Sequence, residues 1–345
     1  MNKKKLLRAG IIGFGSMGKY HAQAYAHSGC AEVVAVCNRR VFKMSEYLNS
    51  NTNCRSYTDW QEMLQKEELD ILSVVTYSPS HAEIVIGGTE VGIPRILCEK
   101  PMATRLIDAE AMINACYKRG VKLAINHTRR WSPSYLRLRE LLRMGVIGDV
   151  RGIFCTLGGG RLGCNGSHLF DLMRMYTESE PEWVIGFIDQ TGTPNPRGEQ
   201  FNDPGGYGQI YFQNKSRCYL DMSEDIGIPA RFEIFGSVGR VIVDEGMNQW
   251  DIFARSEEDK QASLMKYGLQ LKPYPLGFCT PLDIVAHTSE AIKELCENKT
   301  PSCSGEDGKA ALEIVMAFHV SHKQDNVKVE FPLKGEYLSW ELQIT

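Results

Sequence analysis

The chain has no long uninterrupted apolar run, no paired-cysteine motif, no internal repeat and no strong charge of either sign. Each absence removes a class of function. A formal net charge of -3 over 345 residues gives no basic field to hold a polyanion, which argues against a nucleic-acid partner. The Lys3-Lys4-Lys5 run is followed by a short strand-like stretch, Leu6 to Ile12, interrupted by Arg8 and unlike a signal-peptide core. No segment has the length and apolarity to cross a bilayer, so the expectation is a soluble cytoplasmic protein without a membrane partner. The 11 cysteines are scattered singly, with no Cys-x-x-Cys spacing to suggest a metal ribbon. Cys37, Cys98 and Cys155 sit in apolar strand-like stretches, as cysteine does when it serves as a small hydrophobe in a reducing compartment.

What is present is an ordinary globular composition, 43% hydrophobic and 23% charged, in a chain too long for one core. The first half alternates. Leu6–Ile12 reads as a strand, Lys19–Ser28 as a helix stopped by Gly29, and Glu32–Cys37 as a second strand. Thr58 and Gln61 have capping-box spacing for the next helix. Strands at Asp70–Thr76, Arg95–Cys98 and Val121–Ile125 alternate with helices from Ser80 to Gly92 and from Thr104 to Arg119. Strands separated by single helices imply an α/β domain, a doubly wound parallel sheet covered on both faces.

Beyond about residue 128 the pattern changes. A helix at Ser134–Met144 and an extended Asp149–Leu157 precede glycine clusters and successive strand-like stretches at Gly206–Phe212, Ser216–Asp221, Arg231–Phe235 and Arg240–Val243. Two helical patterns, Asp283–Asn298 and Gly308–His322, and a strand-like Val327–Phe331 follow. The expected division is residues 1–127 as a dinucleotide-binding domain and 128–345 as an α+β domain with a mixed, largely antiparallel sheet. The long stretch Gln190–Pro204 offers no readable chemistry.

Gly13-Phe14-Gly15-Ser16-Met17-Gly18 fits G-x-G-x-x-G between the first strand and the first helix. In that setting the first glycine permits the turn, the second admits a pyrophosphate, and the third packs helix on strand. The helix N-terminus then offers free N–H groups to the phosphates. The second strand ends in Asn38, where an acidic residue would hold the ribose hydroxyls of NAD, and Arg39 and Arg40 follow. Without a repelling carboxylate, and with guanidinium groups suited to a 2′-phosphate, the reading favours NADP while leaving NAD open.

Cys98-Glu99-Lys100-Pro101 closes the Arg95–Cys98 strand, at the sheet edge where such folds bind ligands. A lysine there can hydrogen-bond the hydroxyl or carbonyl being converted. In Cys164-Asn165-Gly166-Ser167-His168-Leu169-Phe170-Asp171, helical spacing puts His168 and Asp171 on one face. His168 suits proton transfer, and Asp171 could orient it or bind substrate hydroxyls. A metal reading of Cys164, His168 and Asp171 lacks further ligands, so no metal is expected.

These residues resemble the superfamily of glucose-fructose oxidoreductase, inositol dehydrogenase and rhizopine catabolism proteins. The likeness rests on the glycine motif, Ser78-Pro79-Ser80-His81, Glu99-Lys100-Pro101, Asn126-His127-Thr128-Arg129-Arg130-Trp131-Ser132-Pro133, Gly145-Val146-Ile147-Gly148-Asp149-Val150 and Gly166-Ser167-His168-x-x-Asp171. It continues in Glu233-Ile234-Phe235-Gly236-Ser237-Val238-Gly239 and in Pro301 to Gly308. The resemblance implies a nicotinamide-dependent oxidoreductase acting on a secondary alcohol or ketone of a sugar, nucleotide sugar or polyol. It implies Lys100 and His168 as the catalytic pair. Thr76, Ser78, Pro79, His81 and Glu99 then lie near the cofactor, and His127, Arg129, Cys164, Asn165 and Asp171 near the substrate. It also implies a homodimer or homotetramer built on the open face of the second sheet.

One departure stands out. The family commonly carries aspartate four residues before the histidine, where this chain has Cys164. A neutral thiol is not a charge partner, which leaves open a cofactor-binding sensor with little catalysis beside the leading reading. The resemblance also implies a second enzymatic alternative, glycoside cleavage through transient oxidation by a bound nicotinamide.

Overall fold

In the computed structural model, residues 5–189, 192 and 194–345 are described. The first strands and helices are β1 (Leu7–Ile12), α1 (Ser16–Ser28), β2 (Ala31–Cys37), α2 (Ser45–Ser50), β3 (Arg55–Tyr57), α3 (Trp60–Lys66), β4 (Ile71–Val74), α4 (His81–Glu90), β5 (Arg95–Cys98), α5 (Leu106–Arg119) and β6 (Lys122–Ile125). Then come α6 (Pro133–Arg143), β7 (Val150–Thr156), α7 (Ser167–Thr177), β8 (Pro181–Ile188), β9 (Gly206–Phe212), β10 (Arg217–Met222), β11 (Arg231–Gly236), β12 (Gly239–Asp244), β13 (Gln249–Ala254) and β14 (Lys272–Tyr274). The chain closes with α8 (Ile284–Cys296), α9 (Gly305–Lys323) and β15 (Val329–Glu330).

Two compact units result, one from residues 1–131, 283–312 and 339–345, the other from 132–282 and 313–338. This differs from a single break at residue 127. Residues 283–312, expected in the second domain, belong to the first unit, where Ile125 N–H donates to Cys303 O at 3.1 Å and Ala124 bridges Ser304. The Arg95 guanidinium also donates to Leu295 O at the end of α8, at 2.9 Å. Short apolar strands leave β6 with an open edge, and the returning segment covers it.

The first unit holds a six-stranded sheet in the order β3-β2-β1-β4-β5-β6, every pair parallel. The order reverses between β1 and β4, so the loops after those two strands diverge and open a crevice at their carboxyl ends. Helix ends follow the glycines: α1 stops at Gly29 (φ 64) and α5 at Gly120 (φ 65), both left-handed. The cap of α3 is Asp59 rather than Thr58. Its carboxylate accepts from Gln61 N–H at 2.9 Å, because an aspartate in extended backbone reaches the free amide two residues on.

The second unit holds a nine-stranded sheet, β14-β13-β12-β11-β7-β10-β9-β8-β15, with β7 and β10 parallel and the other pairs antiparallel. One face buries Ile153, Val184, Ile210, Leu220 and Ile234. Phe170 of α7 and Phe318 of α9 lie 5.1 Å apart, and a Cβ on Gly186 or Gly208 would come within 2.9 Å of the Phe318 ring. Those two strand glycines let α9 settle close to the sheet.

Candidate functional site

In the first unit the loop after β1 is built from backbone. Gly13 has φ +95, and a Cβ there would lie 2.4 Å from Val75 O; one on Gly18 would lie 2.3 Å from Gly13 O. Both glycines are therefore required by the protein's own packing. Gly15 differs, since a Cβ there would meet nothing within 4 Å. Its missing side chain leaves open space at the N-terminus of α1, where no acidic residue occupies the first turn of Ser16, Met17 and Gly18. An approaching pyrophosphate would find amide donors and a positive helix end.

The loop after β4 forms the other lip. Thr76 Oγ1 accepts from Ser80 Oγ at 2.7 Å, Pro79 is exposed, and Ser78 Oγ is buried with no hydrogen-bond partner. A buried hydroxyl left over beside a dinucleotide loop fits a group supplied by a ligand. His81 is fully buried beneath this lip, its ring nitrogens 3.0 Å from Pro101 O and 2.9 Å from Thr76 O. Burial pushes its imidazole below the usual range. Its task is to tie the β4 loop to the β5 loop.

Asn38 ends β2 and uses its amide to donate to Phe14 O at 3.3 Å, while Arg39 and Arg40 are exposed and make no ion pair among the described residues. The arrangement offers a ribose neighbour without charge and two guanidinium groups available to an anion.

Lys100 follows β5, its backbone N–H 3.3 Å from Glu99 Oε2, and joins Pro101 through a cis peptide bond. Glu99 is not displayed toward solvent; it anchors a buried polar network. His21 Nε2 donates to Glu99 Oε1 at 3.0 Å and Asn126 Nδ2 donates to the same oxygen at 2.7 Å. His21 Nδ1 meets Ser73 Oγ at 3.0 Å, which meets Tyr25 OH at 2.9 Å. Burial opposes ionisation of Glu99, but the hydrogen bond and charge of His21, the charge of Lys100 and the Asn126 amide outweigh it and bring the carboxyl down to about 2. An ionised carboxylate is thus fixed behind the lysine. His127 is buried, and Arg129 lies partly exposed in the same turn after β6, its charge felt by His287.

In the second unit, the turn before α7 is a π-turn, Leu162–Gly166, and it is fastened by a residue the sequence reading missed. Both carboxylate oxygens of Asp203 accept backbone amides, Gly163 N–H at 2.7 Å and Cys164 N–H at 2.8 Å. Cys164 is buried, and Asn165 reaches Gly160 O at 3.5 Å. His168 is partly exposed at the start of α7, whereas Asp171 is buried, with the Arg174 guanidinium at 3.8 Å. Nothing local marks Asp203, which lies about forty positions from the amides it holds. Within the Gln190–Pro204 stretch, residues 190, 191 and 193 lie outside the described residues. Among the described residues no group of three or more His, Cys, Asp or Glu side chains could hold a metal, and no helix is long and apolar enough to cross a membrane.

Residues 7–127 match the model of an oxidoreductase family with an NAD-binding Rossmann fold. The chain is 32% identical to D-glucoside 3-dehydrogenase of Escherichia coli over 64% of its length and 71% of that protein. It is 25% identical to myo-inositol 2-dehydrogenase of Thermotoga maritima over 94% of its own length and 99% of the relative. It is 33% identical to D-apiose dehydrogenase of Paraburkholderia graminis over 42% of its length, spanning 38% of that protein. Among solved structures, levoglucosan dehydrogenase in complex with NADH superposes with a TM-score of 0.80 at 19% identity, covering 96% of this chain and 100% of that one.

Proposed function

This chain belongs to the glucose-fructose oxidoreductase, inositol dehydrogenase and rhizopine catabolism family of NAD-binding oxidoreductases, and we propose that it moves a hydride between NADP and a secondary alcohol of a sugar-like substrate. The observation that carries the cofactor half is the loop after β1, where a Cβ at Gly15 would meet nothing while Gly13 and Gly18 are locked by packing. Asn38 without charge and the exposed Arg39 and Arg40 support the 2′-phosphorylated form.

When bound, the nicotinamide supplies or accepts the hydride. The chain's own residues must hold the substrate oxygen and move its proton. Lys100, backed by the ionised Glu99, is assigned the hydrogen bond to that oxygen, and His168 the proton exchange at it. His127, Arg129, Asn165 and Asp171 are assigned to the substrate, with Asp171 orienting through Arg174. All eleven cysteines are free thiols, which supports a reducing cytoplasmic setting.

The open face of the second sheet supports assembly into a homodimer or homotetramer. Trp183 stacks on Tyr211 at 5.1 Å, Phe187 on Tyr207 at 4.8 Å and Phe154 on Tyr219 at 4.4 Å. Phe154 and Tyr207 are 50% and 44% exposed, an aromatic field of the kind monomers rarely leave in water.

The test is NADP reduction with a panel of sugars and polyols. We expect turnover with at least one, a loss of about a hundredfold or more in kcat for Lys100→Ala with cofactor affinity little changed, and strongly non-additive loss when His168→Ala is added. Normal turnover in Lys100→Ala removes the lysine from the chemistry.

A further inference from the structure

The second unit contains a cavity of about 530 Å3 that none of the assigned residues lines. Its volume lies in the range that accommodates more than a single small ring. Beside apolar surface that includes Ile188 and Phe201, its wall carries the carboxylates of Asp189, Asp203 and Glu224, the guanidinium of Arg161, and His319 and His322 from one face of α9.

Three of these groups are held in place by backbone donors. Asp189 Oδ2 accepts Glu224 N–H at 2.8 Å, Glu224 Oε1 accepts Gly205 N–H at 3.2 Å, and Asp203 takes the two amides of the π-turn. Acceptors fixed in this way are ready before a ligand arrives. Arg161 is the donor among them. It has left-handed backbone (φ 67, ψ 72), unusual for a residue with a Cβ, and among the described residues its guanidinium has no hydrogen-bond or ion-pair partner. Strain at a non-glycine residue persists where the surrounding structure imposes it, and here it accompanies a free donor on a cavity wall. Burial, together with the charge of His322, pushes His319 down to about 4, so the His319 ring is uncharged at neutral pH.

The charges select the ligand class. Three carboxylates face one guanidinium, which disfavours a phosphate, a uronate or a nucleotide sugar, while Arg161 disfavours an amine. Fixed acceptors with a guanidinium donor match hydroxyl groups, which both donate and accept. We propose that this cavity binds the uncharged, non-reacting ring of a glycoside, so that the substrate is a neutral two-ring sugar rather than a free monosaccharide or a nucleotide sugar. The cavity adjoins the chemistry through its own wall, because Asp203 also fastens the turn that leads into His168. This rests on the reading of His168 as a residue of the sugar site.

The test is calorimetric titration of the NADPH-loaded protein with glucose, cellobiose, maltose, glucuronate and UDP-glucose, alongside turnover. A neutral disaccharide should bind at least tenfold more tightly than glucose, and glucuronate and UDP-glucose more weakly than that disaccharide. Arg161→Met and Asp189→Asn should each weaken the disaccharide at least tenfold more than glucose, in protein whose melting temperature is unchanged. Equal binding of glucose and both disaccharides, tighter binding of either anion, or variants that do not move the ratio overturn the proposal. Disaccharide binding that follows the variants without turnover of any sugar upholds the cavity and sinks the oxidoreductase reading. Turnover of single-ring sugars with silent variants does the reverse.

Discussion

The dinucleotide loop of the first unit and the His168 turn of the second do comparable work by different means. The first is shaped by backbone: two glycines whose Cβ atoms would strike carbonyl oxygens, and a third beside open space. The second is shaped by a side chain, Asp203, that reaches two amides from forty positions away. A backbone-built site depends on residues adjacent in sequence and tolerates almost nothing at those positions. A site held by a distant carboxylate depends on the fold being complete.

The comparison breaks most sharply at the glycines. Gly13→Ala, forced to φ +95 against Val75 O, should cost about 3 kcal/mol or more of stability, whereas Gly15→Ala should leave the melting temperature unchanged and still weaken NADPH binding. Equal thermal effects would refute the division between a packing glycine and a ligand glycine. On the second unit's side, His319 sharpens the contrast through pH. Its folded-state value of about 4 lies below the ordinary 6.5, so the unfolded chain takes up the proton first and stability falls as pH drops from 6.5 towards 4. His319→Gln should remove roughly 3 kcal/mol of that decline in denaturant titrations across the window. An unchanged pH slope would show the imidazole is not the source.

Asp203→Ala leaves two backbone amides without acceptors and should cost about 2 kcal/mol, with turnover reduced and NADPH affinity unaltered. A change in cofactor affinity would contradict the separation of roles. The smallest effect concerns selectivity. Replacing Arg39 and Arg40 with alanine should weaken NADPH by about 1.5 kcal/mol relative to NADH, and matched losses would assign the arginines another part.

The same contrast explains what could be read in advance. β5 and β9 run over the residues their β-branched or alternating patterns indicate, and Gly29 and Gly120 end their helices where a left-handed residue is needed. β3, β8, β13 and β14 were not anticipated. β8 opens on Pro181 and shows aromatic residues on its open face, so its alternation is apolar on both sides; β13 and β14 lie at the sheet's periphery, with charged residues interleaved. α2 has no buried residue to impose a helical period. At the site, the glycines of the loop after β1 were legible because adjacent residues define them. Glu99, expected near the cofactor, also anchors His21 and Asn126, partners 78 and 27 positions away that no local pattern indicates. Arg161 and Asp203 carried no local signal, since their meaning comes from a wall assembled by four separate segments.

The interleaved path of the chain has a consequence for how the molecule is made. It passes from one unit to the other after residues 131, 282, 312 and 338. Domains emerging from a ribosome ordinarily fold in the order of synthesis, the first finished before the second appears. Here the nucleotide-binding half lacks α8, the start of α9 and the cover over β6 until β7 to β14 of the second sheet have been translated. The half that begins first is completed last, and a chain cut off after residue 127 would hold a sheet with one edge bare.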